Sequence, residues 1–520
     1  MPPLNIVDKT VHNNNMSDFN LFSRRNDTDG GPHALREPRF PEPISAETLK
    51  NIFADCSDFQ TREISPGLAQ GKKLFVCWLD GTVDGGAVSE EILRPLTDVL
   101  RTGFSLTPER LMEGAVYSGQ AAHRRDTDSL VTDLTQGCAA VVFCETREAV
   151  TFEVRTKNVR GISEPQMEKS LKGSKDSFTE RLRINTSLVR SRICNPALKM
   201  KNTLIGRKSE TRAVIIYVDG VANPAHVAEL QKRLDAIDVD GVLATGNLEE
   251  YIVDKPRSAF PQLIHTERPD RFSRQLLNGR VGLLVDGLPV AFLIPATFAE
   301  FLRVPQDDSL HYSIASVLSI IRWLALVLAV ALPAFYVAVA MYHQEMIPTK
   351  LLMSIIQSKQ NVPFSTALEV IGMLIAFELL QEASLRLPDP IAATTSIIGA
   401  LIVGQSAVEA KVISPIAVIV VALAGISGYA QPSQDMGAAL RIWRFLFVLA
   451  AVLAGLFGVA ALMCLMVWRL CTVDNFGVNY TAPMSDGRPL SLARTLLRKP
   501  KPKDKFREEE LNTPDRRKQI

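Results

Sequence analysis

Apolar residues are unevenly spread along this chain, and their pattern divides it in two. Up to about residue 310 they come in short runs broken by turn signals. Lys73–Asp84 (KLFVCWLDGTVD) is a run of strand length that ends in Asp-Gly. Gly137–Glu145 (GCAAVVFCE) reads as a second strand, and the alternating Ala149–Thr156 as a third. Arg212–Val227 (RAVIIYVDGVANPAHV) repeats the first design: a buried-type strand, Asp-Gly, then a short apolar step. The likeness is that of a weak internal repeat or of chance. Arg280–Pro295 has apolar runs on either side of Asp286-Gly287, which is a β-hairpin pattern and too broken for a membrane span.

The pattern changes near Ile314. Trp323–Tyr342 is an uncharged run with aromatic ends, as long as the ~20 residues needed to cross a bilayer. Pro333 is expected to kink it. Phe445–Val467 predicts a second span, with Arg441, Trp443 and Arg444 before it and Trp468 and Arg469 after it. Ile391–Val408 and Val412–Ala430 predict a tight pair of helices around Glu409-Ala410-Lys411. Pro363–Pro388 is helical by period but carries charge. Glu378, Glu382 and Arg386 fall at i, i+4 and i+8 and form one charged stripe. Such a helix either lies in the membrane interface or packs inside an assembly.

The expected fold is therefore an α/β soluble N-terminal region of two small subdomains followed by an all-α polytopic membrane domain. The expected division is a disordered segment at 1–44, a first α/β subdomain at 45–157, a linker at 158–177 and a second α/β subdomain at 178–310. A helical transmembrane domain at 311–472 and a basic cytoplasmic tail at 473–520 complete it. Four spans put both termini on one side, and the basic tail makes that side the cytoplasm.

Composition narrows the chemistry. Net charge is only +2 over 520 residues, so no general attraction to nucleic acid is implied. The seven cysteines show no C-x-x-C spacing and read as free thiols, and the seven histidines are too scattered to argue a metal site. No cofactor is expected. Trp78–Asp84 (WLDGTVD) lies near the D-x-D-G-T signature of haloacid-dehalogenase-type phosphatases. The nucleophilic Asp of that signature is Trp78 here, so Asp80 alone cannot run the covalent mechanism and no enzyme is expected. Arg181, Arg183, Arg190 and Arg192 on a helix near Ser177–Ile193 suit anionic lipid, another subunit or a solvated face. The basic tail suits lipid headgroups or simple topology determination.

The stretch Gly399–Pro415 (GALIVGQSAVEAKVISP) carries polar groups where lipid tolerates them least. On a helix over 391–409, Ala392, Ser396, Gly399, Ala400, Val403 and Ala407 share a small-residue face for close helix packing. Thr394, Ile398, Leu401, Gln405 and Glu409 share the other, polar at its ends and apolar in its middle. That is one way to build a channel gate. The plainer reading has Gln405 bonding a neighbouring helix and Glu409 sitting at the interface beside Lys411.

Several stretches then resemble the A subunits of spore germinant receptors, the GerA family of endospore-forming bacteria. They include RGISEP (160–165), FTERLRINTSLVRSRICNPALK (178–199), IGRKSETRAVIIYVDGVAN (205–223), NGRVGLLVDGLPVAFLIPATFAEFL (278–302), QNVPFSTALEVIGMLIAFELLQEASLRLP (360–388), IGALIVGQSAVEAKVISPIAVIVVAL (398–423) and FGVNYTAP (476–483). Small departures are Asn361 and Ser365 in the usual Gly-Val-Pro-Phe-Pro, and Gly173-Ser174 for the usual Gly-Pro. The resemblance implies an integral protein of the inner spore membrane that works with a transporter-like, nutrient-binding B subunit and a lipoprotein C subunit. It further implies a homo-oligomer that opens an ion pathway when nutrient is sensed. The alternatives it leaves are a non-conducting scaffold of the receptor, or the paralogue that serves the dipicolinate channel.

Overall fold

The computed structural model describes residues 39–64, 74–101, 106–116, 120–156, 164–168, 170, 172–242, 244–386, 404–485 and 491–519. The chain divides into a short leading unit, 1–42, and a compact unit, Pro43–Ile520. The expected N-terminal segment 1–44 lies almost wholly outside the described residues.

Two five-stranded antiparallel sheets form the α/β region. The first comprises β1 (Phe59–Ile64), β2 (Leu74–Leu79), β3 (Ala121–Arg124), β4 (Cys138–Phe143) and β5 (Glu148–Glu153), in the order β1-β2-β4-β5-β3. The second comprises β6 (Leu198–Ile205), β7 (Thr211–Val218), β8 (Ile264–Thr266), β9 (Val281–Val285) and β10 (Ala291–Ile294), in the order β6-β7-β9-β10-β8. Matched strand for strand, the two orders are the same, so the weak sequence repeat corresponds to a duplicated topology. In both halves the strand before Asp-Gly lies second from the edge: Asp80-Gly81 after β2, Asp219-Gly220 after β7. The glycines adopt φ of +89° and +74°, a region open to them for want of a Cβ.

Central strands are apolar on both faces because both faces are covered. All of β9 (VGLLV) is buried. Helix Pro269–Leu277 packs so close to it that a Cβ on Gly282 would overlap the Phe272 ring. The expected hairpin over Arg280–Pro295 is β9–β10, with Phe292 opposite Leu283.

Helix Leu182–Arg192 joins the two sheets; the solvated-face reading of its arginines holds for Arg183, whose side chain is 63% exposed, and fails at Arg190. The Arg190 side chain is only 1% exposed. Its Nε and Nη2 donate to the two Asp58 oxygens at 2.9 Å each, and its Nη1 donates to the carbonyls of Asn195 and Leu198. Arg183 reaches Asp80 at 2.6 Å, and Ser187 Oγ donates to the Gly81 carbonyl at 2.7 Å. A guanidinium holds a buried carboxylate with two parallel donors and still has a third nitrogen for nearby carbonyls, a geometry that a lysine ammonium does not offer.

Beyond Leu310 the fold is helical, and two helices among the described residues are long and apolar enough to cross a membrane: Tyr312–Tyr342 and Gln434–Cys471. Tyr312–Tyr342 is one helix that contains Pro333, the residue expected to kink it. It buries Ala315, Ala325, Ala329, Ala334 and Ala338, small residues at helical spacing that let neighbouring helices approach closely. Thr366–Arg386 and Pro415–Tyr429 pack beside it.

Gln434–Cys471 corrects the sequence reading. The stretch between the two expected spans, 431–444, is mostly helix, and the expected single span Phe445–Val467 is interrupted. Ala454 (φ −139°, ψ 18°) and Gly455 (φ 57°, ψ −140°) leave helical geometry. A Cβ on Gly458 would collide with the Ala450 carbonyl, eight residues back, so the chain reverses there. As a straight rod its 38 residues would reach about 57 Å. Instead both ends touch the α/β region, Asp435 through His265 and Thr472 through Lys255. Each arm, 434–453 and 456–471, runs roughly 25–30 Å, near the thickness of a hydrocarbon core. Only glycine adopts the Gly455 conformation readily. Gly455→Val is expected to cost about 1–3 kcal/mol, read as a lower unfolding midpoint of the detergent-solubilised chain. Gly437→Val, whose site is sterically open, is the control for helix propensity.

One core runs from the second sheet into the helices. Phe260 stacks on Trp443 with centroids 5.9 Å apart, Phe298 meets Trp323 at 5.7 Å, and Tyr480 closes the group. Tyr480 belongs to the segment expected as a tail. That segment docks on the second half: its hydroxyl donates to the Pro261 carbonyl at 2.7 Å, and Leu511 is fully buried.

Candidate functional site

The charged groups of the helical domain are the candidate site, because each is costly among apolar helices unless partnered. Thr394, Ile398 and Leu401 of the candidate gate lie outside the described residues. Gln405 and Glu409 stand one turn apart, and Gln405 Nε2 donates to Glu409 Oε1 at 3.0 Å on an exposed face. Of the charged stripe, Glu378 reaches across to Arg441 at 2.7 Å. Glu382 also has a partner. The Arg386 backbone closes the same helix.

Three buried polar groups were not singled out from the sequence as site residues. Glu369, near the start of Thr366–Arg386, has a side chain with no exposed surface. Its Oε2 accepts the Ser414 backbone N–H at 2.8 Å, at the head of helix Pro415–Tyr429. Its Oε1 stands 3.6 Å from Lys359 Nζ. A carboxylate at a helix N-terminus is favoured by the unpaired N–H groups there. Arg444, 6% exposed, donates Nε to the Ala329 carbonyl at 2.7 Å and crowds Gly428 at the far end of the same helix. Arg322, 8% exposed, pairs with Asp307 at 2.6 Å, and its carbonyl accepts from Gln431 at 3.3 Å. Period alone places these residues on helices. It does not say which neighbour faces them.

Arg322 leads to the docked C-terminal segment. Arg498 and Lys501 both reach Asp308, at 3.1 and 2.8 Å. Further along, Glu508 accepts from Arg280 at 2.9 Å and Arg303 at 2.8 Å. Burial opposes the Glu508 charge, but the two guanidinium groups outweigh it and hold the carboxyl well below the usual range. Arg498 and Lys501, two of the basic tail residues, are thus engaged within the chain.

Asp80, the residue nearest a phosphatase motif, is held by Arg183. Among the described residues no cluster of three His, Cys, Asp or Glu could hold a metal ion.

Comparison with known proteins places the chain. The family model for the Bacillus/Clostridium GerA spore germination protein matches residues 47–510. Spore germination protein KA of Bacillus subtilis (strain 168) is 33% identical over 512 residues, covering 95% of this chain and 94% of that one. Spore germination protein GerQA of Bacillus cereus is 35% identical over 469 residues, covering 88% and 90%. An uncharacterized membrane protein, YfkQ, of Bacillus subtilis (strain 168) is 34% identical over 443 residues, covering 84% and 85%. A crystal structure of the N-terminal domain of the A subunit of the Bacillus megaterium germinant receptor GerK3 aligns with 51% of this chain and 99% of that one. Its identity is 27% and its TM-score 0.40. The chain belongs to the GerA family of spore germination proteins.

Proposed function

We propose that this chain is the A subunit of a spore germinant receptor and opens an ion pathway through its helical domain when nutrient is sensed. The observation that carries the reading is the set of buried charged groups, Glu369, Arg444 and Arg322, among apolar helices. Ionisable groups within membrane helices are rare and costly, and substrate or ion pathways are among the roles they mark. In this reading the helical domain lies in the inner spore membrane with both termini on the spore-core side. The chain forms a homo-oligomer and works with a transporter-like B subunit and a lipoprotein C subunit. Thr394, Ile398, Leu401, Gln405 and Glu409 line or gate the path, and Glu378, Glu382 and Arg386 brace it.

A scaffold that conducts nothing is the second reading. The internal pairs Gln405–Glu409 and Glu378–Arg441 favour it, since each satisfies its own charge or dipole. Ion flux from proteoliposomes carrying the reconstituted chain separates the two. L401A, Q405A and E409Q are expected to change the flux several-fold. If all three leave it unchanged, the gate lies elsewhere. If the chain passes no ion alone or with its partners, the scaffold reading holds.

A further inference from the structure

Three titratable side chains from three elements meet where the α/β region joins the apolar hairpin. His265 comes from edge strand β8. Glu249 comes from helix Thr245–Ile252, and Asp435 from the first turn of Gln434–Cys471. Nδ1 of His265 lies 2.9 Å from an Asp435 oxygen, and Nε2 lies 3.6 Å from a Glu249 oxygen. The ring's edge packs on Phe292 of β10 at 5.2 Å. The imidazole is largely buried, at 19% exposed.

We propose that His265 is a proton-operated brace that ties the α/β region to the first turn of the hairpin, and that loss of its proton loosens the tie. A neutral imidazole has one N–H and one lone pair, so it serves one carboxylate and turns its lone pair on the other. Only the imidazolium donates to both. Nε2 makes no hydrogen bond at its present distance, so the second donation has room to form.

The other charges nearby are occupied. A crevice of about 60 Å³ adjoins the ring. In it Glu168 is paired with Arg271 and accepts from Thr266 Oγ1, while Glu267 accepts the N–H groups of Met167 and Glu168 at 2.5 and 2.7 Å. Glu249 and Asp435 are therefore the groups that address the ring.

The electrostatics agree in sign. Burial disfavours the imidazolium, but the bond to Asp435 and the fields of both carboxylates outweigh it and raise the pKa. Burial, aided by Asp435 and opposed by His265, raises the Glu249 carboxyl as well. A raised histidine contributes stability that is complete below its unfolded pKa of about 6.5 and disappears as pH rises through the folded value. The raised carboxyl likewise favours the acidic side. The stacked Phe260–Trp443 contact does not titrate, so loosening is confined to the hairpin's first turn. This holds whether or not the helical domain conducts.

Amide hydrogen exchange of residues 433–440 in the full-length, detergent-solubilised protein tests the brace. After correction for intrinsic exchange, protection there is expected to fall several-fold between pH 6 and pH 8, as the imidazolium gives up its proton. In H265Q and in D435N the fall should vanish. A wild-type profile independent of pH overturns the proposal, and so does an H265Q profile that keeps the wild-type fall. If H265Q does not fold, D435N decides in its place.

Discussion

Replacing Arg190 with methionine is expected to lower the unfolding free energy of the full chain by about 3–5 kcal/mol. The guanidinium is buried between the halves of the α/β region and satisfies Asp58 with both prongs. Methionine fills similar space but strips a buried carboxylate of its guanidinium and takes one donor from each of the Asn195 and Leu198 carbonyls. Chemical denaturation of the detergent-solubilised chain measures the loss. R190K retains the charge but not the fork and should fall between wild type and R190M. If the pair serves only structure, combining R190M with D58L restores much of the loss, because an apolar replacement for a whole buried ion pair is often neutral. An R190M protein as stable as wild type would show that the halves hold together without this joint.

Glu508→Ala carries the second large effect. It leaves fully buried Arg280 without a counter-charge, although Arg280 keeps its bonds to the Pro295 carbonyl and Gln275. Arg303 keeps Glu300. The expected cost is about 3 kcal/mol, the low end for a broken buried pair, because the Glu508 side chain is 24% exposed. The loss should be read first as faster proteolysis within 498–519, then as a lower unfolding midpoint. Acid should do the same reversibly. Glu508 has a depressed folded pKa, so its contribution is complete above the unfolded value of about 4.3 and is lost as pH falls below it. Release of the segment should therefore begin below about pH 4, opposite in direction to the loosening expected at His265. Protease sensitivity unchanged between pH 7 and pH 3 would contradict it.

Much of the architecture was legible in local pattern. The strands β2, β4, β7, β9 and β10 were visible as apolar runs because central strands are covered on both faces, and β5 as an alternation. β1 was not visible: four of its six residues are exposed, so it carries neither an apolar run nor an alternation. Strand β8 is three residues long and sits at an edge. The candidate gate was legible as an anomaly, polar groups in an apolar run, but only Gln405 and Glu409 of it can be placed. Glu369 and Arg444 could have been found by the same rule, since both interrupt apolar helical stretches. The rule does not supply their partners.

By itself, the sequence determined the family, the division into an α/β region and an apolar helical region, and the Asp-Gly turns of the two halves. Those features depend on neighbours a few residues apart, whose spacing sets period and turn conformation. Tertiary structure alone decided the burial of Arg190, the docking of the basic C-terminal segment, the reversal at Gly455 and the meeting of His265 with Asp435. Arg190 and Asp58 are 132 residues apart, and Arg280 and Glu508 are 228 apart. No local spacing encodes such contacts, because they form only when packed sheets and helices bring distant segments together. Gly455 is the exception in kind. It is a single residue inside an apolar run, and its positive φ becomes necessary only because both ends of the hairpin must return to the same domain.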